Sequence, residues 1–209
     1  GCLLPDTATI FMAGVGKGAT SIPFWEDVYG FDMKHIGQSV HEDALKVAVV
    51  TTIEGEHVIT DKVVMRDFDL MTMVQADVNF TSNFTLELPS TAGDEGEVTW
   101  CYGVVLWFDV GFTKRACTST PVVMSTSPHT KTTHWVQTLL HLRNPIALTR
   151  KSMRESDMPV GSIQNPATHI TGKLTFGQGP RQRNLDITLE YCGLVEGKTG
   201  ITEVVMYEL

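Results

Sequence analysis

Val78-Asn79-Phe80-Thr81-Ser82-Asn83-Phe84-Thr85-Leu86-Glu87-Leu88 is the stretch that decides the fold class. Val78, Phe80, Phe84, Leu86 and Leu88 alternate with Asn79, Thr81, Asn83, Thr85 and Glu87. A period of two sends these two sets to opposite faces of an extended chain, so the stretch reads as a half-buried antiparallel strand. The same period returns where Leu185, Ile187, Leu189 and Tyr191 alternate with Asp186, Thr188, Glu190 and Cys192. Residues 98–112, with Val104-Val105-Leu106-Trp107-Phe108 at their centre, are apolar on both faces and predict a central strand. Ile201 to Leu209 predicts a C-terminal strand, and shorter candidates lie at 8–13, 45–53, 63–69, 136–142 and 168–176. Turn chemistry separates them at Ala92-Gly93-Asp94-Glu95-Gly96, Gly177-Gln178-Gly179-Pro180 and Glu196-Gly197-Lys198. Many short strands at near-regular spacing predict a mainly β barrel or sandwich. No βαβ alternation is visible, so no complete Rossmann domain is expected. Helix is expected at 22–35, with a short turn near 41–45. Residues 149–165, with Pro159 and Gly161, predict an exposed polar loop.

At roughly 100–200 residues per domain, 209 residues make one large domain or two small ones. Apolar residues are 42% of the chain and charged residues 19%, enough to build a core, which excludes wholesale disorder. The formal charge is −8, from 16 Lys+Arg against 24 Asp+Glu. That balance argues against nucleic acid and anionic membrane as partners and favours cationic, Arg-rich peptides. No apolar run approaches the roughly 20 residues that span a bilayer. Gly1-Cys2-Leu3-Leu4-Pro5-Asp6 has neither the basic region nor the long apolar region of a signal peptide, and with no initiator Met the chain reads as a fragment. Without targeting signals, cytoplasm or nucleus is expected. Cys2, Cys101, Cys117 and Cys192 have no C-x-x-C spacing and predict free, mostly buried thiols. Asn79 and Asn83 match the N-glycosylation pattern and are read as solvent-facing strand positions.

Three weak motifs are set aside on their chemistry. Gly14-Val15-Gly16-Lys17-Gly18 lacks the Ser or Thr that a phosphate loop places after Gly-Lys, and Ser21-Ile22-Pro23 discourages an immediate helix. The stretch reads as a flexible joint. His129, His134 and His141 have no nearby carboxylate or Cys to complete a ligand set, so no metal is expected. Ser125, Ser127, His129 and Asp109 lack a nucleophile elbow and read as turn hydroxyls and their neighbours.

Two stretches carry more. Phe24-Trp25-Glu26-Asp27-Val28-Tyr29-Gly30-Phe31-Asp32-Met33 crowds large apolar side chains among acids. It reads either as a protruding interface or as a helix packed outside the barrel. Thr133-His134-Trp135 precedes a strand, where a His can bind a carboxylate and a Trp can wall a cationic substrate; a purely structural His-Trp pair is the alternative.

Together these stretches resemble the protein arginine methyltransferases. Residues 24–33 are similar to that family's F/W-W-x-x-V-Y-G-F-D-M segment. Thr133-His134-Trp135 with Gln137 is similar to its T-H-W loop, and Leu4-Pro5-Asp6-Thr7-Ala8 to its L-x-P-D-x-A interdomain junction. The resemblance is nearest to plant-like, type I members. It implies a C-terminal β-barrel over 1–209 with a dimerisation arm inserted at 17–38. It implies that Phe24, Trp25, Val28, Tyr29, Phe31 and Met33 serve dimerisation, and that Pro5 is a cis interdomain proline. It further implies S-adenosylmethionine-dependent methyl transfer to an arginine guanidinium, giving the asymmetric product. Thr133, His134 and Trp135 would bind substrate, with His134 and Trp135 supporting catalysis. The implied partners are Arg-rich substrates, an N-terminal cofactor domain and a second copy in a homodimer. The chain holds no cofactor motif or double-Glu loop, so by itself it is expected to bind no cofactor and to be inactive. The alternative is a stand-alone barrel that binds Arg-rich peptides or an active partner subunit.

Overall fold

The computed structural model describes residues 3–152, 157–179 and 184–209. Cys2, Pro180 and part of the predicted 149–165 loop lie outside them. In chain order the elements are β1 (Thr7–Val15), α1 (Ile22–Glu26), α2 (Lys34–Ala44), β2 (Val49–Thr51), β3 (Val63–Asp69), β4 (Phe80–Glu87) and β5 (Thr99–Phe112). They continue with β6 (Val122–Ser125), β7 (Gln137–Leu148), β8 (His169–Gln178), β9 (Leu185–Val195), β10 (Lys198–Thr199) and β11 (Glu203–Glu208).

Two antiparallel sheets result. One runs β2-β7-β5-β1-β3 with β6 added on β5; the other runs β10-β9-β8-β4 with β11 added on β9. Side-chain and loop bonds close the seams. Ser82 Oγ donates to the Met65 carbonyl at 2.5 Å, joining β4 to β3. The Ala48 N–H donates to the Glu208 carbonyl, and the Glu208 N–H to the Lys46 carbonyl, each at 3.0 Å, joining β11 to the lead-in of β2. The outcome is the expected barrel-like sandwich.

The period-two stretch read over 78–88 forms β4 from Phe80 to Glu87, with Val78 ending a short 3-10 turn before it. Phe84, Leu86 and Leu88 are buried, while Asn79 and Asn83 face solvent. Strand β5 lies between β1 and β7, and both its faces are covered. Val104 and Leu106 enter the core between the sheets. Val105 and Trp107 join Ala13, Val15, Ile53 and Leu139 in a second cluster on the first sheet's other face. Each such buried side chain contributes about 1.5–3 kcal/mol of apolar burial. The hairpin at Glu196-Gly197 holds both residues at positive φ, 46° and 78°, as a two-residue turn between twisted strands requires.

Several expectations are corrected. The helix read over 22–35 is two helices broken at Asp27–Met33. There Val28 and Phe31 exchange N–H···O bonds of 2.9 and 3.0 Å, and Tyr29 and Gly30 turn the chain at φ 54° and 87°. Glycine tolerates that backbone, and the Asp27 carboxylate accepts from the Gly30 N–H at 2.7 Å. The turn read near 41–45 is the end of α2. The strand read over 45–53 is confined to Val49–Thr51, and β6 and β10 were not foreseen. The 149–165 loop is not wholly exposed: Thr149 is fully buried, and the Gly161 carbonyl accepts from the Ala147 N–H at 2.8 Å. Cys101, Cys117 and Cys192 are free thiols, and burial pushes that of Cys101 up to about 12. Among the described residues no helix is long and apolar enough to cross a membrane.

Candidate functional site

The segment between β6 and β7 is pinned at both ends. At its start, Thr126 is buried against β5. Its N–H and hydroxyl donate to the Phe108 carbonyl at 3.0 and 2.8 Å, and its Oγ1 accepts from the Phe108 N–H at 3.0 Å. At its end, Gln137 is buried as the first residue of β7. Its Nε2 donates to the Thr126 carbonyl, and its Oε1 accepts from the Ile53 N–H, both at 2.8 Å. His134 and Trp135 occupy the last bend of this loop, immediately before β7, and both are exposed, Trp135 by 54%. The Trp135 ring meets Phe108 edge-on at 6.3 Å and His134 at 6.0 Å. Neither side chain hydrogen-bonds to a described residue.

This bend is held in an unfavourable conformation. Val136 sits at φ 48°, a left-handed backbone that costs a β-branched residue about 1–3 kcal/mol. The Thr133 hydroxyl is buried with no hydrogen-bond partner among the described residues, a desolvation cost of about 1–3 kcal/mol. Against these stand the 3.3 Å bond from the Val136 N–H to the Thr133 carbonyl and the two bonds of Gln137. The arrangement presents an imidazole and an indole together at a strand mouth. Sequence reasoning found Thr133, His134, Trp135 and Gln137 through a motif. It missed Thr126, because a lone threonine carries no signal until β5 and β6 pair.

The aromatic stretch forms an arm whose residues are nowhere fully buried: both α1 and α2 lack a buried side chain. Phe24, Tyr29 and Phe31 are 58%, 95% and 73% exposed, while Trp25, Val28 and Met33 are half-buried. Phe24 and Trp25 meet edge-on at 5.1 Å. Lys17 Nζ donates to Glu26 at 2.5 Å, tying α1 to the turn that leaves β1. Asp32 accepts from both the N–H and the ammonium of Lys34, which holds its carboxyl below the usual range. A groove of about 670 Å³ runs between arm and barrel, lined by Trp25, Glu26, His41, Glu42, Arg143 and Pro145 among others. Beneath the arm, the rings of His41 and His141 meet at 5.7 Å, and His41 Nε2 lies 3.4 Å from the Arg143 carbonyl.

At the N-terminal junction the Leu4–Pro5 peptide is cis. Asp6 is shielded from solvent, and its carboxylate accepts from the N–H of Thr113 at 2.7 Å and from its hydroxyl at 2.5 Å. Those bonds hold the Asp6 carboxyl below its usual range.

The remaining motifs resolve as packing. A Cβ on Gly14 would lie 2.8 Å from Thr60 Cγ2, and one on Gly18 2.5 Å from the His57 ring, so the glycine stretch is a closely packed joint rather than a flexible one. Its glycines admit the neighbouring Thr60 and His57 side chains. His141 is buried under the arm, His129 lies over Gly55 and His134 faces solvent. Among the described residues only Glu54, Glu56 and His57 bring three ligand atoms together. Ser125 donates directly to Asp109, with no imidazole between them.

A family model described as the arginine methyltransferase oligomerization subdomain matches residues 6–193. The probable protein arginine N-methyltransferase 3 of Oryza sativa subsp. japonica is 44% identical over 195 residues, covering 93% of this chain and 32% of that protein. The probable protein arginine N-methyltransferase 3 of Arabidopsis thaliana is 44% identical over 197 residues, with the same coverage. This chain thus spans about a third of the length of these curated relatives. Among solved structures, the Trypanosoma brucei PRMT1 enzyme–prozyme heterotetrameric complex with AdoHcy superposes with a TM-score of 0.69 at 23% identity, covering 98% of this chain and 56% of that one. Protein arginine methyltransferase 10 of Arabidopsis thaliana, in an open conformation, superposes with a TM-score of 0.66 at 17% identity, covering 98% and 60%. At these identities the two structures bear on the fold alone.

Proposed function

Since this chain belongs to the protein arginine methyltransferases, through their oligomerization subdomain, we propose that it is the substrate-binding and dimerisation barrel of an enzyme that transfers methyl groups from S-adenosylmethionine to arginine, giving the asymmetric product. The observation that carries this reading is the pinned bend that holds His134 and Trp135 exposed and side by side. The indole offers a face to a guanidinium, and the imidazole offers a hydrogen bond to a carboxylate that orients the same group. Neither residue moves the methyl group. They position the accepting nitrogen, and holding two reactants in register is worth several powers of ten in rate. The cofactor belongs to a portion of the complete enzyme other than these residues, so the 209-residue chain by itself neither binds cofactor nor turns over. Arg-rich proteins are the substrates, in keeping with the net charge of −8. The arm, with Phe24, Trp25, Val28, Tyr29, Phe31 and Met33, docks a second copy, and Pro5 marks the junction with the cofactor portion. The enzyme works in cytoplasm or nucleus.

The test is His134→Ala in the complete protein. Methyl transfer to an Arg-rich peptide should fall about 10²-fold while melting temperature and dimerisation stay unchanged. Wild-type turnover in that variant would remove His134 from the site.

A further inference from the structure

The loop from Thr126 to Gln137 is closed on itself by one side chain. Gln137 ends the loop, and its amide N–H₂ bonds the carbonyl of Thr126, where the loop begins, at 2.8 Å. The other end of the same amide takes the Ile53 N–H at 2.8 Å, just beyond β2. Gln137 is 4% exposed, so both bonds are made in a buried setting. One side chain therefore joins three separate segments: β7, the β6 exit and the β2 exit. Between its two clamped points lie the left-handed Val136, the unpartnered Thr133 hydroxyl and the exposed His134 and Trp135. A bend carrying two unfavourable features relaxes unless its surroundings over-determine it. Trp135 meets Phe108 and His134 edge-on and is 54% exposed, so the ring contacts alone hold it weakly. The two-ended amide supplies the constraint that the exposed residues lack.

We propose that Gln137 is a positioning residue: its buried amide clamps the loop so that His134 and Trp135 hold a fixed orientation toward substrate. The kinetic half of this proposal rests on the arginine methyltransferase reading above; the clamp itself does not. Its chemistry requires a donor at one end and an acceptor at the other, which an amide or a protonated carboxylic acid provides and a carboxylate or a thioether does not.

The experiment compares Gln137→Met and Gln137→Glu with wild type in the complete protein. Amide hydrogen exchange is read over 127–136 and, as a control, over β8 and β9. With Gln137→Met, exchange in the loop should accelerate by about tenfold or more while the control strands are unaffected. The KM for an Arg-rich peptide should rise by about fivefold or more, with the S-adenosylmethionine Kd unchanged. With Gln137→Glu both defects should appear at pH 8 and shrink toward pH 6. Burial raises the carboxyl's pKa, and its protonated form restores the lost donor. The ionisable groups on neighbouring segments are Asp109, His129, Glu54, Glu56 and His57; all are present in wild type, so each variant is read against wild type at the same pH. If Gln137→Met does not fold, Gln137→Glu read across pH carries the test alone. Unchanged loop exchange in a folded variant overturns the clamp. A loosened loop with an unchanged peptide KM overturns the positioning role. An inactive wild-type complete protein overturns the proposed function, and the exchange data still decide the clamp.

Discussion

Trp25 closes over Gly37: a Cβ on Gly37 would lie 2.8 Å from the Cβ of Trp25 and 3.3 Å from its Cγ. The two helices of the arm meet at this point. Because the clashing atoms sit next to the backbone, no rotamer change relieves them, and α1 would have to move. Gly37→Ala sets two effects against each other. Alanine favours helix by about 1 kcal/mol over glycine, but the displaced α1 carries the exposed Phe24 with it. We expect helix content to hold and the proposed dimer of the complete protein to weaken in sedimentation velocity. An unaltered dimer would show that the Trp25–Gly37 contact does not set the interface.

Tyr29 and Phe31 have nearly no contacts to lose, being 95% and 73% exposed. Truncating both to alanine should change barrel stability by no more than about 0.5 kcal/mol per site. If the proposed dimer docks through this stretch, the same double variant should convert the complete protein to monomer, since exposed aromatics contribute their burial only on docking. Trp25→Ala with Tyr29→Ala should do likewise. A persistent dimer in both variants would place the interface elsewhere.

His141 is buried beneath the arm with its Nδ1 unpartnered, and burial, then the neighbouring His41, pushes its pKa down to about 4. The unfolded imidazole titrates near 6.5, so between these values the unfolded chain binds the extra proton. Stability is therefore present above the upper value and lost as pH falls toward 4, by up to about 3 kcal/mol. The melting temperature should drop between pH 7 and pH 4.5. His141→Phe should flatten that part of the profile; an equally steep profile would assign the proton uptake to another group.

Gly172 on β8 pairs with Tyr191 on β9, and a Cβ there would lie 1.9 Å from the Glu190 carbonyl oxygen. The obstacle is backbone, so the ladder itself would have to part. Gly172→Ala should cost about 3 kcal/mol or more, beyond the usual range for a single methyl group. Chemical denaturation of the 209-residue chain reads this directly, and a loss under about 1 kcal/mol would contradict the close approach.

Much of the fold is legible in the side-chain periods. The alternation in β4 and β9 states which face is buried, and the double-faced apolar run of β5 states that it is central. These patterns are local, because a strand's two faces are set by adjacent residues. The helix expected over 22–35 rests on aromatics set among acids, a composition that does not show where a helix breaks. The break depends on a turn at Tyr29-Gly30 that only the Val28–Phe31 bonds reveal. The edge strand β6 was missed because Val122–Ser125 is four residues long and partly exposed, with no alternation to detect.

By itself, the sequence determined a mainly β chain with free thiols, and two motifs, Phe24–Met33 and Thr133–Trp135, worth attention. It could do so because hydrophobic period, turn residues and motif spacing act over a few neighbouring positions. Only the tertiary structure decided how those motifs are held. Gln137 reaches Thr126 and Ile53 across 11 and 84 positions of sequence, and Asp6 reaches Thr113 across 107. Such bonds exist only after the strands have paired, and no local pattern encodes a partner that distant. The sheet order brings the start of β7 to the exits of β6 and β2, and the burial it creates makes each of those bonds costly to break.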